Sequence, residues 1–240
     1  MAVAHLAFAV GIVPLIFAAM IHFVPVLTRT GDPARRVVLL PSLAQASGLL
    51  AVCAMQGWVP YGLLHLAATV DLIFAAILMH WMVGRARAAL GSPHPGWRWY
   101  CAAQGCFILA LIAVILMAVW PSYWPRLRLF HLHLNTLGLI GLAALGTLPV
   151  LLPTALGKPD PEAAGWLRRR VWLATSGVLI IAVGAAVDWI FAAPGTALLL
   201  VAALGLLGQW IRRFGFVPLL WDGVTASLLS AVIGLVLALI

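Results

Sequence analysis

The sequence has very few charged residues. Only 8% of its 240 residues are Asp, Glu, Lys or Arg, whereas 65% are hydrophobic and the mean hydropathy is +1.12. A water-soluble globule needs far more polar surface than this composition supplies. The composition therefore excludes a soluble domain and predicts an all-α fold, a polytopic bundle of transmembrane helices.

Cysteine is also scarce, and the motifs that would give it a chemical role are missing. Cys53, Cys101 and Cys106 lie in apolar stretches, and the sequence contains no CxxC or CxxCH pattern. Thiolate metal sites and c-type haem attachment therefore find no support. We interpret the three cysteines as small buried hydrophobic residues.

Long apolar runs dominate the chain. A transmembrane helix needs roughly 20 apolar residues, because the hydrocarbon core is about 30 Å thick and a helix rises about 1.5 Å per residue. The predicted helices cover residues 4–27, 37–56, 61–83, 100–119, 129–152, 171–191, 197–210 and 216–240. The seventh run is short, so the prediction is seven or eight helices in a single domain, 1–240. The chain ends inside the last apolar run, which is consistent with a fragment of a longer membrane protein.

The basic residues predict the orientation in the membrane. Twelve of the 14 Lys and Arg residues fall on one side of the predicted bundle, and such an excess marks the cytoplasmic side. They are Arg29, Arg35, Arg36, Arg85, Arg87, Arg98, Lys158, Arg168, Arg169, Arg170, Arg212 and Arg213. Both termini are then expected on the outer side, in a bacterial inner membrane. The net charge of +8 is a topology signal, so we expect lipid and no nucleic acid as a partner.

Histidine is unexpectedly frequent in the apolar runs. Six of the seven histidines fall within predicted helices, where a polar ring is costly and indicates function. Those near the outer side are His5, His65, His131 and His133, and those near the cytoplasmic side are His22 and His80. Two facing imidazoles at one depth can hold the iron of a low-spin haem b, so the sequence predicts one or two such haems.

The fifth predicted helix carries the most specific pattern. His131 and His133 project about 200° apart at ~100° per residue, so they can serve two cofactors on opposite flanks of one helix. Gly138, seven residues after His131, nearly superposes on it in projection and offers a flat surface for a planar macrocycle. Alternatively, Gly138 lets a neighbouring helix approach closely.

The run from His131 to Gly146 reads His-x-His-x-x-x-Leu-Gly-x-x-Gly-x-x-x-x-Gly. It resembles the paired-histidine helix of haem-copper oxidase catalytic subunits, and its histidine-then-glycine pattern is similar to that of the NnrS family of haem-containing membrane proteins. The resemblance implies that His131 and His133 bind the iron of two different haems, with His65 of the third helix as the opposite ligand of the low-spin haem. It also implies that Arg126 and Arg128 hold the haem carboxylates, although snorkelling to lipid head groups would explain these arginines equally well.

The sequence departs from the oxidases in ways that limit the prediction. It has no His-His dipeptide, so a copper site is unsupported, and with it the reduction of oxygen or nitric oxide by the oxidase mechanism. We therefore expect a haem-binding protein linked to redox chemistry, nitric oxide or respiration, with electrons from quinone or a redox protein. No catalytic residue is identified, and enzymatic activity is left open.

Two alternatives use the same histidines differently. A two-haem cytochrome b would need both histidine layers, but the spacings His65 to His80 and His5 to His22 do not return to a shared helix face. A metal or proton transporter, or an assembly factor without bound haem, would use the histidines to coordinate a passing metal ion or to relay protons. His5, His22 and His80 are weaker candidates for metal ligands than His65, His131 and His133. Such a transporter would also use Asp71, the one acidic residue deep in a predicted helix, where a carboxyl group usually faces a cavity or a partner.

Overall fold

A computed structural model describes residues 2–220 and 222–240, and this part of the chain is helical, with turns and loops but no strand. Seven helices are long and apolar enough to cross a membrane. They are α1 (Ala2–Thr28), α2 (Arg35–Met55), α3 (Gly62–Arg87), α4 (Gly96–Val119), α5 (Pro121–Ala155), α6 (Ala163–Val187) and α7 (Trp189–Phe214). A shorter apolar helix, α8 (Gly223–Leu237), follows them. The predicted polytopic helical bundle is confirmed.

The last two helices differ in length from the prediction. The seventh, expected to be short, has 26 residues because it begins at Trp189, whereas α8 has only 15. The run before α8 is interrupted at Gly215, whose φ of 78° ends α7, and at Asp222, which caps α8. At about 22 Å, α8 is shorter than the ~30 Å hydrocarbon core. Whether the C-terminal end lies on the outer side, as predicted, therefore depends on whether α8 crosses the membrane.

Helix α4 lies at the centre of the bundle. It packs against α1, α3, α5 and α6, while α3 also packs on α2, and α6 on α5 and α7. The main core is formed around α4 by large side chains that are fully or almost fully buried, among them Phe17, Met20, Leu78, Met82 and Trp99. Because α4 lies between α3 and α5, it sets the distance between their histidines.

Two π-helical segments interrupt the α-helical pattern. Leu6–Ile12 follows directly after His5, and Leu134–Leu142 follows directly after His133. A π-helix bonds residue i to residue i+5 and is often found at functional sites. Prolines within three helices do not end them: α1 continues past Pro14, α2 past Pro41 and α5 past Pro149.

Candidate functional site

The structure brings two of the outer histidines together. His5 near the start of α1 and His131 in α5 have ring centroids 6.3 Å apart and ring planes only 6° from parallel. Both side chains are partly buried. His131 thus has a histidine of another helix as its stacked ring neighbour.

A hydrogen bond fixes the tautomer of His131. Its Nδ1 lies 3.0 Å from the carbonyl oxygen of Ala110, a fully buried residue of α4. A carbonyl can only accept, so Nδ1 carries the hydrogen and Nε2 keeps its lone pair. The Asn135 amide donates to the His131 carbonyl at 2.8 Å and lies 3.3 and 3.4 Å from the two ring nitrogens. Because Nδ1 carries the hydrogen, the Asn135 amide can donate only to Nε2, and these contacts hold the ring in one orientation. A metal ion at Nε2 would have to replace this weak contact.

His133 has a similar internal hydrogen bond but a different neighbourhood. Its Nδ1 lies 2.8 Å from the carbonyl oxygen of Leu129, one turn earlier in α5. The same argument assigns the hydrogen to Nδ1 and the lone pair to Nε2. His133 is therefore prepared as a ligand, and its use by a second cofactor remains a prediction.

His65 was predicted to be the partner of His131, but the structure does not bring these two rings together. The described ring neighbour of His65 is Tyr61 of the same polypeptide stretch, edge-on at 5.9 Å. His65 lies on α3, and α4 packs between α3 and α5. The Nδ1 atom of His65 is buried and has no hydrogen-bond partner among residues 2–220 and 222–240. His5, predicted at the same depth as His65, lies beside His131 instead.

Gly138 faces a helix. A Cβ atom at this position would lie 2.5 Å from Cβ and 3.0 Å from Sγ of Cys106 on α4. His131 and Gly138 do share a face of α5, as the projection predicted, since Ala110 and Cys106 are one turn apart on α4. Close helix packing, the alternative use of Gly138, therefore accounts for this glycine, and Cys106 occupies the surface that a macrocycle would need.

The two outer arginines are exposed at the start of α5. The Arg128 guanidinium lies over the ring of Trp124, 5.4 Å from its centroid. Arg128 precedes His131 by three residues, which places the two on neighbouring positions of one helix face. The role of Arg126 and Arg128 in holding haem carboxylates remains a prediction.

The inner histidines show no comparable pairing. His22 is exposed, lies edge-on to Phe23 at 5.1 Å and borders a groove of about 350 Å³ together with Asp32. His80 is exposed on α3. His94, in the loop before α4, is held by a backbone hydrogen bond from its N–H to the Leu27 carbonyl at 2.8 Å. The second histidine layer, which a two-haem cytochrome would use, has no described histidine pair.

The paired histidines are too few to form a bare structural metal centre. The described chain contains no group of three or more His, Cys, Asp or Glu side chains that could hold a metal ion, and a structural zinc ion wants four. Metal–imidazole bonds of about 2 Å put the nitrogens of two opposed ligands about 4 Å apart and their ring centroids about 6 Å apart. His5 and His131 have this centroid separation, 6.3 Å, but their rings are stacked, so the rings would have to turn to point two nitrogens at one iron. Comparison of the chain with protein-family models, curated proteins and solved structures gives no match.

Proposed function

We propose that this integral membrane protein binds a b-type haem between the start of α1 and the start of α5, with His5 and His131 as the two axial ligands. The observation that carries the proposal is the near-parallel pair of rings at 6.3 Å. The hydrogen bond from His131 Nδ1 to the Ala110 carbonyl adds support, because haem ligands commonly present Nε2 while Nδ1 is bonded to a carbonyl.

Each residue around the pair has a defined task in this proposal. Ala110 and Asn135 orient the His131 ring, so that little ordering remains when a metal binds. Arg128, one turn before His131, supplies a positive charge towards the predicted outer surface, where haem carboxylates would lie. A six-coordinate haem provides one-electron transfer when bound and offers no open position for a substrate.

The wider role follows from the sequence resemblance. We propose a protein of the haem-copper oxidase and NnrS group, linked to redox chemistry, nitric oxide or respiration in a bacterial inner membrane. The described residues include no soluble redox domain, so electrons would pass to and from quinone or a membrane-associated redox protein. The His131-x-His133 pair supports the family relationship, and His5 supplies the opposite ligand in place of His65.

The decisive test is a reduced-minus-oxidised absorption spectrum of the purified protein together with a pyridine haemochrome count. Wild-type protein from haem-replete cells is expected to show sharp low-spin b-type bands. His5→Gly and His131→Gly should each lose the low-spin spectrum, and added imidazole should restore it by occupying the space of the missing ring. Exposed His80→Gly is the matched control and should keep the wild-type spectrum.

Three outcomes would contradict the proposal in different ways. Protein that contains no haem would eliminate the proposal entirely. A low-spin spectrum that survives both His5→Gly and His131→Gly would move the haem elsewhere. A spectrum lost in His65→Gly but retained in His5→Gly would restore the original pairing of His65 with His131. The haem-to-protein ratio reports whether His133 holds a second haem.

A further inference from the structure

A buried tryptophan of α6 has an indole N–H group that lacks an acceptor. Trp166 is only 4% exposed, and its ring stacks on Trp99 of α4 with the centroids 5.5 Å apart. The Trp99 N–H donates to the Leu167 carbonyl at 3.0 Å, whereas Trp166 Nε1 has no hydrogen-bond partner among residues 2–220 and 222–240. A buried donor without an acceptor is unfavourable, so a ligand that brings an acceptor to Trp166 Nε1 would gain affinity.

An arginine lies beside the same point of the bundle. A Cβ atom added to Gly205 of α7 would lie 3.8 Å from Arg170 Nη2 and also 3.8 Å from Trp166 Nε1. The two donors are therefore at most twice this distance apart, a gap that the oxygens of one phosphate group can bridge with ordinary hydrogen bonds. Because Gly205 has no side chain, the space between the donors is left for an oxygen atom.

The packing of α6 on α7 builds this arrangement at the edge of the bundle. Trp166 and Arg170 are four residues apart and so share one face of α6, and α7 packs against α6. Arg170 is partly exposed, and Leu204, next to Gly205, is 49% exposed. Arg170 is the eighth residue of α6, about 10 Å from its start at the predicted cytoplasmic side. An arginine side chain at this depth reaches the level of the lipid head groups.

A second arginine and glycine of α7 lack these features. A Cβ atom added to Gly208 would lie 3.8 Å from Arg212 Nη1, and both residues belong to α7. The Gly208 position therefore combines a guanidinium group with neither a second helix nor an unpaired indole N–H. Gly205 differs because two donors from another helix converge on it.

The acidic group at this end of α7 is already bonded. Asp160 Oδ2 accepts from Gln209 Nε2 at 3.0 Å, and Oδ1 accepts from the Glu162 N–H at 3.0 Å. Arg170 forms no ion pair within the part of the chain that the structure describes. The same ends of α6 and α7 also carry Arg168, Arg169, Arg212 and Arg213. This excess of positive charge favours a head group with a net negative charge over one that also carries a cation.

We propose that Trp166, Arg170 and the bare backbone at Gly205 form a binding site for the phosphate group of one anionic phospholipid of the predicted cytoplasmic leaflet. One phosphate oxygen accepts from the Arg170 guanidinium and another from the Trp166 N–H, which satisfies the buried donor. The acyl chains lie along the exposed surface at Leu204. The site is independent of the haem proposal.

Native mass spectrometry of the delipidated protein, titrated with dioleoyl phosphatidylglycerol, tests this proposal. Wild-type protein is expected to bind one lipid more tightly than any further lipid, and to bind phosphatidylcholine with the same chains more weakly. Arg170→Gln should weaken the first site about tenfold or more, because a charge-assisted hydrogen bond is lost. Trp166→Phe keeps a stacked ring but removes the N–H, so a loss of about three- to tenfold is expected. Gly205→Ala should also weaken binding, since its methyl group fills the oxygen position.

Matched variants separate the site from general attraction to positive charge. Arg212→Gln removes the same charge from the same end of the bundle, Gly208→Ala adds the same methyl group to α7, and Trp172→Phe changes an exposed tryptophan of α6. All three should keep the wild-type affinity. Gly205→Ala should also keep the wild-type helix content, because 3.8 Å is an ordinary contact distance.

Three results would overturn the proposal. An equal loss in Arg170→Gln and Arg212→Gln would show diffuse charge attraction. A loss in Arg170→Gln without any in Trp166→Phe and Gly205→Ala would show a lone arginine at the head groups. Inorganic phosphate that binds as tightly as the lipid would show a site for a free anion. None of these results changes the haem spectrum.

Discussion

Gly138 offers a sharp test of the packing between α4 and α5. A methyl group at this position would lie 2.5 Å from Cys106 Cβ, well inside ordinary van der Waals contact. Overpacking of this kind costs about 1–3 kcal/mol, because the two helices must separate. Gly138→Ala should therefore lower the free energy of unfolding by about that amount. The measurement is a reversible unfolding titration in mixed micelles, followed by helix content.

Two further variants make the test of Gly138 specific. Gly141→Ala is the matched control, since its Cβ would meet only the Thr136 carbonyl at 3.6 Å and the same segment gains helix propensity of up to ~1 kcal/mol. Cys106→Gly removes the opposing side chain and should recover most of the loss when combined with Gly138→Ala. If Gly138→Ala and Gly141→Ala proved equally stable, or if Cys106→Gly gave no rescue, the close approach at Gly138 would be refuted.

Four other predictions concern single residues and the last helix. Burial lowers the pKa of His94 below its usual 6.5. The unfolded chain therefore binds a proton that the folded chain excludes, and stability should fall as the pH drops below 6.5. His94→Asn should flatten this dependence in unfolding titrations. The Thr225 and Val224 backbone N–H groups lower the pKa of Asp222. The stabilisation of α8 by this cap should therefore be present above pH 3.8 and be lost at lower pH. Asp222→Ala should speed hydrogen exchange in Gly223–Leu237, and Asp222→Ser should largely preserve protection. Arg85 donates to the Gly31 and Asp32 carbonyls at 2.9 and 2.8 Å, so Arg85→Lys should raise proteolysis of that loop while Arg87→Lys leaves it unchanged. A reporter fused after Ile240 should lie outside if α8 crosses the membrane, and a cytoplasmic signal would show seven crossings.

The bundle could be predicted from the sequence because lipid demands long apolar helices, and composition alone excludes the soluble alternatives. The length of α7 could not, because the apolar residues from Trp189 to Phe191 look like the end of the sixth helix in sequence. The extended backbone at Asp188 instead ends α6 and makes these residues the start of α7. The sequence predicts a layer of histidines at one depth of the membrane. Which of them lies beside His131, His5 or His65, depends on the central position of α4. A linear sequence contains no direct information on which helix lies between two others.

The π-helical segment Leu134–Leu142 also sets which side of α5 faces α4 before and after it. In an α-helix, successive side chains are rotated by about 100° around the helix axis. A wider turn that accommodates one more residue therefore changes the direction of all the side chains that follow it. Before the segment, His131 contacts Ala110 of α4. After the segment, Gly146 packs against Trp99 of the same helix. Removal of one residue within the segment would tighten the turn and leave the two ends out of register. The histidine end and the packed end of α5 could then no longer contact α4 together.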